Sequence, residues 1–202
     1  MFECVRFSCV LVKGEIQIYS KFNIMDQAKL PLLKGDKKTV LNEVETYLGD
    51  NGFKILAKDF NRPWGGFFVL DEGQAEKFGA VYFPGIEIAS LKVEGGKLSP
   101  KILMVEGNKR LSWQYHRRRS EIWKLAAGSA GVVTSKTDQQ GPIQKLHLGE
   151  VVRLNKGLRH RLVGLDGWGM IAEIWQHTDP SNPSNEDDIV RVQDDFGRER
   201  EM

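Results

Sequence analysis

The sequence predicts an all-β domain, a sandwich or a barrel, behind one short helix. Two observations carry this. From Phe53 onward, short apolar runs alternate with glycines and charged turns, the pattern of many short strands. Upstream, residues 36–52 instead carry their apolar residues at helical spacing. A length of 202 residues with 41% hydrophobic content fits one domain with an extension. We place the extension at residues 1–53 and the β-domain at 54–202.

Residues 1–21 hold a strand-like patch at 7–12 and 16–19 with no assigned partner, and Met25 offers an alternative start. The helix at 36–52 follows from three signals. Asp36 can accept a backbone N–H at its N-terminus. Val40, Leu41, Val44 and Leu48 form one apolar stripe, suited to packing on a sheet. Asn51-Gly52 supplies a left-handed stop. Strands are then expected at 66–70, 81–83, 86–93, 102–105, 111–115, 121–126, 131–135, 144–148, 151–154, 160–163 and 170–175. The tail from Asp179 is polar and carries Pro180 and Pro183.

Composition excludes several classes. Net charge is +2 with 28% charged residues of mixed sign, and no long basic block marks a nucleic-acid binder. No apolar run reaches the roughly 18 residues that span a bilayer, and the charged N-terminal stretch lacks the continuous apolar core of a signal peptide. The only cysteines, Cys4 and Cys9, cannot staple the chain. A reduced, cytoplasmic setting is expected.

The chemistry concentrates between Gln114 and Gly164. Gln114, His116 and Glu121 stand as Q-x-H-x4-E, with Gly128 seven residues after the glutamate. Side chains two apart on a strand share a face, so Gln114 and His116 point together. Glu121 follows a short turn and can return beside them. Gly149, Gly157 and His160 form a second hairpin that presents a histidine. Two nitrogens and two oxygens suit a borderline divalent cation. His116 alone would be read as structural; the four residues together make a ligand set. Trp64 and Trp123 divide between pocket lining and core, while His147 and His177 fit neither hairpin and are expected at the surface or in packing.

These two stretches resemble the two motifs of the cupin superfamily, whose fold is a jelly-roll barrel (the double-stranded β-helix). Gln114 stands where the first histidine is usual, Asn155 replaces a proline and Gly164 replaces an asparagine. A closer resemblance, to the type II phosphomannose isomerase cupin domain, covers residues 62–198. Arg62-Pro63-Trp64-Gly65, Leu111-Ser112-Trp113-Gln114-Tyr115-His116, Arg119-Ser120-Glu121-Ile122-Trp123 and Gly157-Leu158-Arg159-His160-Arg161-Leu162 carry it, with Glu186-Asp187-Asp188-Ile189-Val190-Arg191 and Asp194 to Arg198. Arg118 stands where the family has a histidine, and residues 76–100 read as an insertion. The family's Gly-rich nucleotide loop is absent from the sequence, so guanylyltransferase activity is not expected.

The resemblance implies a metal-dependent aldose–ketose isomerase of a phosphosugar, mannose 6-phosphate to fructose 6-phosphate first. Isomerisation of a heptose phosphate, or sugar binding without turnover, are the alternatives; a dioxygenase is disfavoured by Gln114. It implies metal ligands Gln114, His116, Glu121 and His160. Zinc is expected, with manganese, cobalt, nickel and iron as alternatives. Arg119 is the electrostatic stabiliser, and Lys101 or a metal-bound water is the base. Arg118, Arg191 and Arg198 are expected at the phosphate, with Arg119 beside them, because guanidinium binds phosphate through two parallel hydrogen bonds. The acids at 186–188 read as a structural clasp for Arg191 or Arg198. Cupins pair through their sheets, so a homodimer is expected.

Overall fold

The computed structural model describes two strands near the N-terminus and residues 30–197. Residues 1–30 and 31–202 form separate compact units. In the first, β1 (Cys9–Val12) and β2 (Glu15–Ile18) form an antiparallel hairpin. The second begins ahead of α1 (Lys37–Asp50), so the helix shares a unit with the β-domain. No described helix is long and apolar enough to cross a membrane.

Helix α1 forms for the reasons its sequence gives. Asp36 accepts the Thr39 backbone N–H at 2.8 Å, and Gly52 takes φ +68° after the last turn. Val40, Leu41, Val44 and Leu48 are fully buried, joined by Tyr47.

The sheet runs β11 (Ile189–Gln193), β6 (Trp113–His116), β10 (Arg159–His177), β5 (Leu98–Val105), β4 (Gly65–Leu70), β3 (Ile55–Asp59). Off this path, β7 (Arg119–Ser135) pairs with β10, β8 (Gln144–Lys145) and β9 (Val151–Leu154). All these pairings are antiparallel. The all-β reading therefore holds, with two short helices beside the sheet. Four expected strands merge into two: β7 unites 121–126 with 131–135, and β10 unites 160–163 with 170–175. The apolar core between them includes Trp64, Leu103, Trp123, Leu125, Leu162 and Ile171.

Two expected strands are corrected. Residues 81–83 close α2 (Ala75–Tyr82), and 86–93 hold a 3-10 turn at Ile88–Leu91. The deciding pattern is the buried stripe Ala75, Phe78, Gly79 and Tyr82, at helical rather than alternating spacing. Phe78 and Tyr82 pack on Phe53 with ring centroids 5.8 and 6.0 Å away. Two strands lacked a clear sequence signal, β3 and β11. In β3 the three central residues are exposed, so no apolar alternation announces it.

Gly128 shows why the first motif ends in glycine. It lies opposite Gly169, where the β7–β10 register shifts. Its φ is +74°, and a Cβ there would sit 1.9 Å from the Trp168 carbonyl oxygen. Gly128→Ala is expected to cost about 2–4 kcal/mol through backbone strain and displaced strand contacts. Denaturant unfolding of the two chains checks this, read as a lower midpoint at unchanged slope.

At the far end of β10, His177 is buried rather than superficial, and its Nε2 lies 2.8 Å from Ser99 Oγ. Ser99 Oγ donates to Glu72, which also pairs with Lys97 at 2.8 Å. Burial first, then Lys97, push the His177 pKa down to about 4 from 6.5. Between those values the unfolded chain binds the extra proton, so stability rises with pH across that window and is lost as pH falls through it. His177→Gln is expected to remove part of this acid loss, worth roughly 5 °C in Tm. Thermal melts from pH 4 to pH 6.5 on both chains test it.

Candidate metal centre

Three strands converge on one buried cluster and the cavity beside it. Strand β6 supplies Gln114 and His116, β7 supplies Arg119, Glu121 and Trp123, and β10 supplies His160, Glu173 and Trp175. Strand alternation puts Gln114 with His116, and Glu121 with Trp123, on shared faces. Gln114 lies directly opposite His160 across the β6–β10 ladder.

His116, Glu121 and His160 are each about 2% exposed or less, and one ligand atom from each lies within 4.8 Å of the others. His116 Nε2 is 3.1 Å from Glu121 Oε1. His160 Nε2 is 3.4 Å from Glu121 Oε2, yet neither atom makes a hydrogen bond. An unpartnered buried polar atom costs roughly 1–3 kcal/mol. Two facing acceptors with nothing between them are what a cation would reconcile. The neighbouring backbone agrees: His160 Nδ1 lies 2.9 Å from the Leu158 carbonyl, so Nδ1 carries the proton and Nε2 keeps its lone pair. Gln114 Oε1 accepts from Ser112 Oγ at 2.6 Å and retains a second lone pair on the same cavity wall. The residues present therefore fit a divalent cation.

Electrostatics hold the ligands in their binding forms. Burial lowers the His116 pKa, outweighing the attraction of Glu121, and so keeps the ring neutral. Burial alone would raise Glu121, but the Arg119 guanidinium and hydrogen bonding from His116 outweigh it and keep the carboxylate ionised. Arg119 is itself buried. Its Nε donates to Glu121 at 2.7 Å, its Nη2 lies 3.3 Å from His116 Nε2, and its guanidinium sits 3.5 Å over the Trp175 ring.

The remaining expected residues separate. Lys101, on β5, lines the cavity with its ammonium 3.4 Å over Trp175 and 2.5 Å from Glu186 Oε1. Burial lowers its pKa, opposed by Glu186 and Glu173. Arg191, opposite Gln114 on the β6–β11 ladder, also lines the cavity. Arg118 does not. It donates to Asn182 Oδ1, the Pro183 carbonyl and Asn185 Oδ1, at 2.6, 3.1 and 2.9 Å. Asp188 pairs with Arg118 at 3.5 Å and accepts the backbone N–H groups of Arg117 and Arg118. Of the acids at 186–188, Asp188 thus clasps Arg118 and Glu186 pairs with Lys101. Arg198 lies outside the described residues.

Three cavity residues escaped the sequence reading. Glu173 is 3% exposed, lies opposite both Lys101 and Trp123, and accepts the Trp123 indole N–H at 2.8 Å. Burial, reinforced by Glu121, pushes its pKa up to about 8. Its signal was a lone acid inside the apolar run from Met170 to Trp175. Arg62 and Trp175 are the others. Trp123 resolves as both core and lining.

A jelly-roll sheet that turns two imidazoles and a carboxylate onto one point is the arrangement of a cupin, and these three side chains could hold a cation. The family described as mannose-6-phosphate isomerase C-terminal matches residues 74–194, more than half of the chain. The chain belongs to that family. Similar solved structures include a cupin 2 conserved barrel domain protein from Salinispora arenicola CNS-205. It is 25% identical, over 39% of this chain and 62% of that one, with a TM-score of 0.34. Another is vicilin from Corylus avellana (hazelnut), 15% identical over 67% and 34% of the two chains, TM-score 0.45. Procruciferin from Brassica napus is 10% identical over 60% and 27%, TM-score 0.42. The chain therefore spans only part of each of these proteins. No curated protein matches the sequence.

Proposed function

We propose that the chain is a metal-dependent aldose–ketose isomerase of a phosphosugar, acting first on mannose 6-phosphate to give fructose 6-phosphate. The supporting observation is that Glu121, which gathers the His116 and His160 ligand atoms around it, also lines a cavity with Gln114, Arg62, Lys101, Arg119 and Arg191. Family membership adds to it. Glu121 and Glu186 are held as carboxylates, and Glu173 stays largely protonated at neutral pH. Arg62 is paired with Asp59 outside the lining, and the remaining three cations against two ionised acids favour an anionic ligand.

Isomerisation moves a proton between C2 and C1 while charge develops on the adjacent oxygen. A bound divalent cation supplies electrophilic stabilisation of that oxygen. Arg119 adds positive charge next to the ligands, through its Nε–Glu121 pair. Glu173 Oε1 accepts the Trp123 N–H, which leaves Oε2 to carry the exchanging proton. That carboxyl, matched to neutral pH, is placed to hold and return the migrating proton. Lys101, paired with Glu186, acts as a cation rather than as the base.

The test loads the purified chain separately with zinc, manganese and cobalt and couples fructose 6-phosphate formation to a spectrophotometric readout. Metal-dependent turnover supports the reading. One bound ion per chain with no turnover rejects mannose 6-phosphate, and heptose phosphates are then assayed. Sugar phosphate binding without conversion of either would make the protein a non-catalytic sugar binder.

A further inference from the structure

The mouth of the cavity is already filled by an anion from the chain itself. Glu186 stands on the 3-10 turn Glu186–Asp188, just ahead of β11. Its Oε1 lies 2.5 Å from the Lys101 ammonium, while its side chain remains 50% exposed against 5% for Lys101. Lys101, then Arg119 and Arg62, hold this carboxylate ionised against the effect of burial. A carboxylate reaching in from solvent to pair with a buried ammonium, in the field of Arg119 and Arg62, occupies the place an external anion would take.

Two further observations show that the carboxylate can be replaced without loss of the segment bearing it. First, the segment is anchored by other residues. Asp188 binds the backbone of Arg117 and Arg118, Arg119 donates to Ser184 Oγ and the Asn185 carbonyl, and β11 pairs with β6. Second, with Glu186 in place the cavity keeps only about 60 Å³ of open volume, room for a few waters. A hexose phosphate is larger, so a side chain at the mouth must move to admit it. Glu186 is half in solvent and held through a single side-chain ion pair, which makes it the group that moves most easily.

Resting on the phosphosugar reading above, we propose that Lys101 and Arg62 form the subsite for the ligand's phosphate and that Glu186 is its resident stand-in, displaced when the phosphate enters. The ligand class is a phosphate monoester. The exchange trades one carboxylate for a group of equal or greater charge on the same cations, so the ion pair costs affinity as a built-in competitor.

The test measures binding to the metal-loaded chain by calorimetry. The probes are inorganic phosphate, glucitol 6-phosphate (no carbonyl to isomerise) and mannitol (no phosphate). Glu186→Gln removes the charge at nearly constant shape and is expected to tighten both phosphates about tenfold, with mannitol unchanged. Lys101→Met in the Glu186→Gln background is expected to reverse that gain. Asp187→Asn makes the same charge change one residue along, on an exposed side chain, and is expected to leave all three unchanged. The proposal is overturned by phosphate affinity that is equal or weaker in Glu186→Gln, by an equal gain in Asp187→Asn, by a gain that survives Lys101→Met, or by no phosphate binding at all. A gain with glucitol 6-phosphate in a chain that turns over no phosphosugar leaves the subsite standing and rejects only the isomerase.

Discussion

His116→Ala is expected to remove the bound divalent ion and, with it, all turnover above background. His116 is one of only two imidazoles in the cluster, and its ligand atom lies within 4.8 Å of those of Glu121 and His160. Deleting it leaves a carboxylate, one imidazole and the Gln114 amide, and a borderline cation binds such oxygen-rich sets weakly. Metal affinity should fall at least about 100-fold, the upper end of what outer partners alone contribute. The fold should survive. The lost ring is replaced by a cavity beside His160, its neighbour at 5.0 Å between centroids, at a cost of about 2–3 kcal/mol. Metal content per chain after dialysis, read beside a thermal melt, separates the two effects. A variant that keeps one tightly held ion per chain would place the centre elsewhere.

The second large effect belongs to Glu173→Gln. In the proposed isomerisation it removes the only protonated acid of the cavity while keeping the shape that receives the Trp123 N–H. We expect kcat to fall about 100- to 1000-fold with little change in KM, the range for a lost general acid–base group. The same substitution has a signature independent of activity. The folded-state pKa of Glu173 is raised from 4.5 to about 8. Between those values the folded chain binds the proton that the unfolded chain releases, so this residue makes stability fall as pH rises. In metal-free protein, Glu173→Gln should therefore gain on the parent chain steadily from pH 4.5 to pH 8, by up to about 4 kcal/mol. Urea unfolding at several pH values reads that difference. A constant offset across the range would mean that Glu173 is already ionised, and would withdraw it from the proton-transfer role.

How much of this was legible in the sequence varies with the kind of signal. The clustering of these side chains was the clearest, because Gln114 and His116 two apart on a strand, and His160 after a glycine turn, are local spacings that survive folding unchanged. Helix α1 was equally plain, since Asp36, the apolar stripe and Gly52 agree with one another. The segment 75–91 misled because its apolar runs are short and glycine-bounded. Gly79 reads as a break there, but it is a close approach: a Cβ on it would meet Ile88 Cγ1 at 1.9 Å. Arginine roles were the least legible. Arg118 and Arg119 are adjacent and chemically identical, yet alternation along β7 sends Arg119 into the cavity, while Arg118, just before the strand, meets the 182–188 loop. Which arginine meets a phosphate and which ties down a loop depends on a C-terminal segment nearly seventy residues away, beyond any local pattern. Glu173 was hidden for the opposite reason. Its partners Lys101 and Trp123 come from other strands, and only their pairing turns a stray acid into a site.

The length of β10 has a consequence for how this chain can vary. One uninterrupted strand, Arg159–His177, holds His160 near its beginning and Glu173 near its end, and β5, β6 and β7 all take their register from it. It serves as the ruler of the barrel. A single inserted or deleted residue between Ile171 and Glu173 would reverse which side chains face inward beyond that point. Glu173 and Trp175 would leave the cavity together, however well the core repacked. Between Gly164 and Gly169 the ladder to β7 is already interrupted, so length changes there leave both marks of the ruler in place. Descendants of this sequence are free to lengthen that loop, while the residues from Met170 to His177 must be inherited in step.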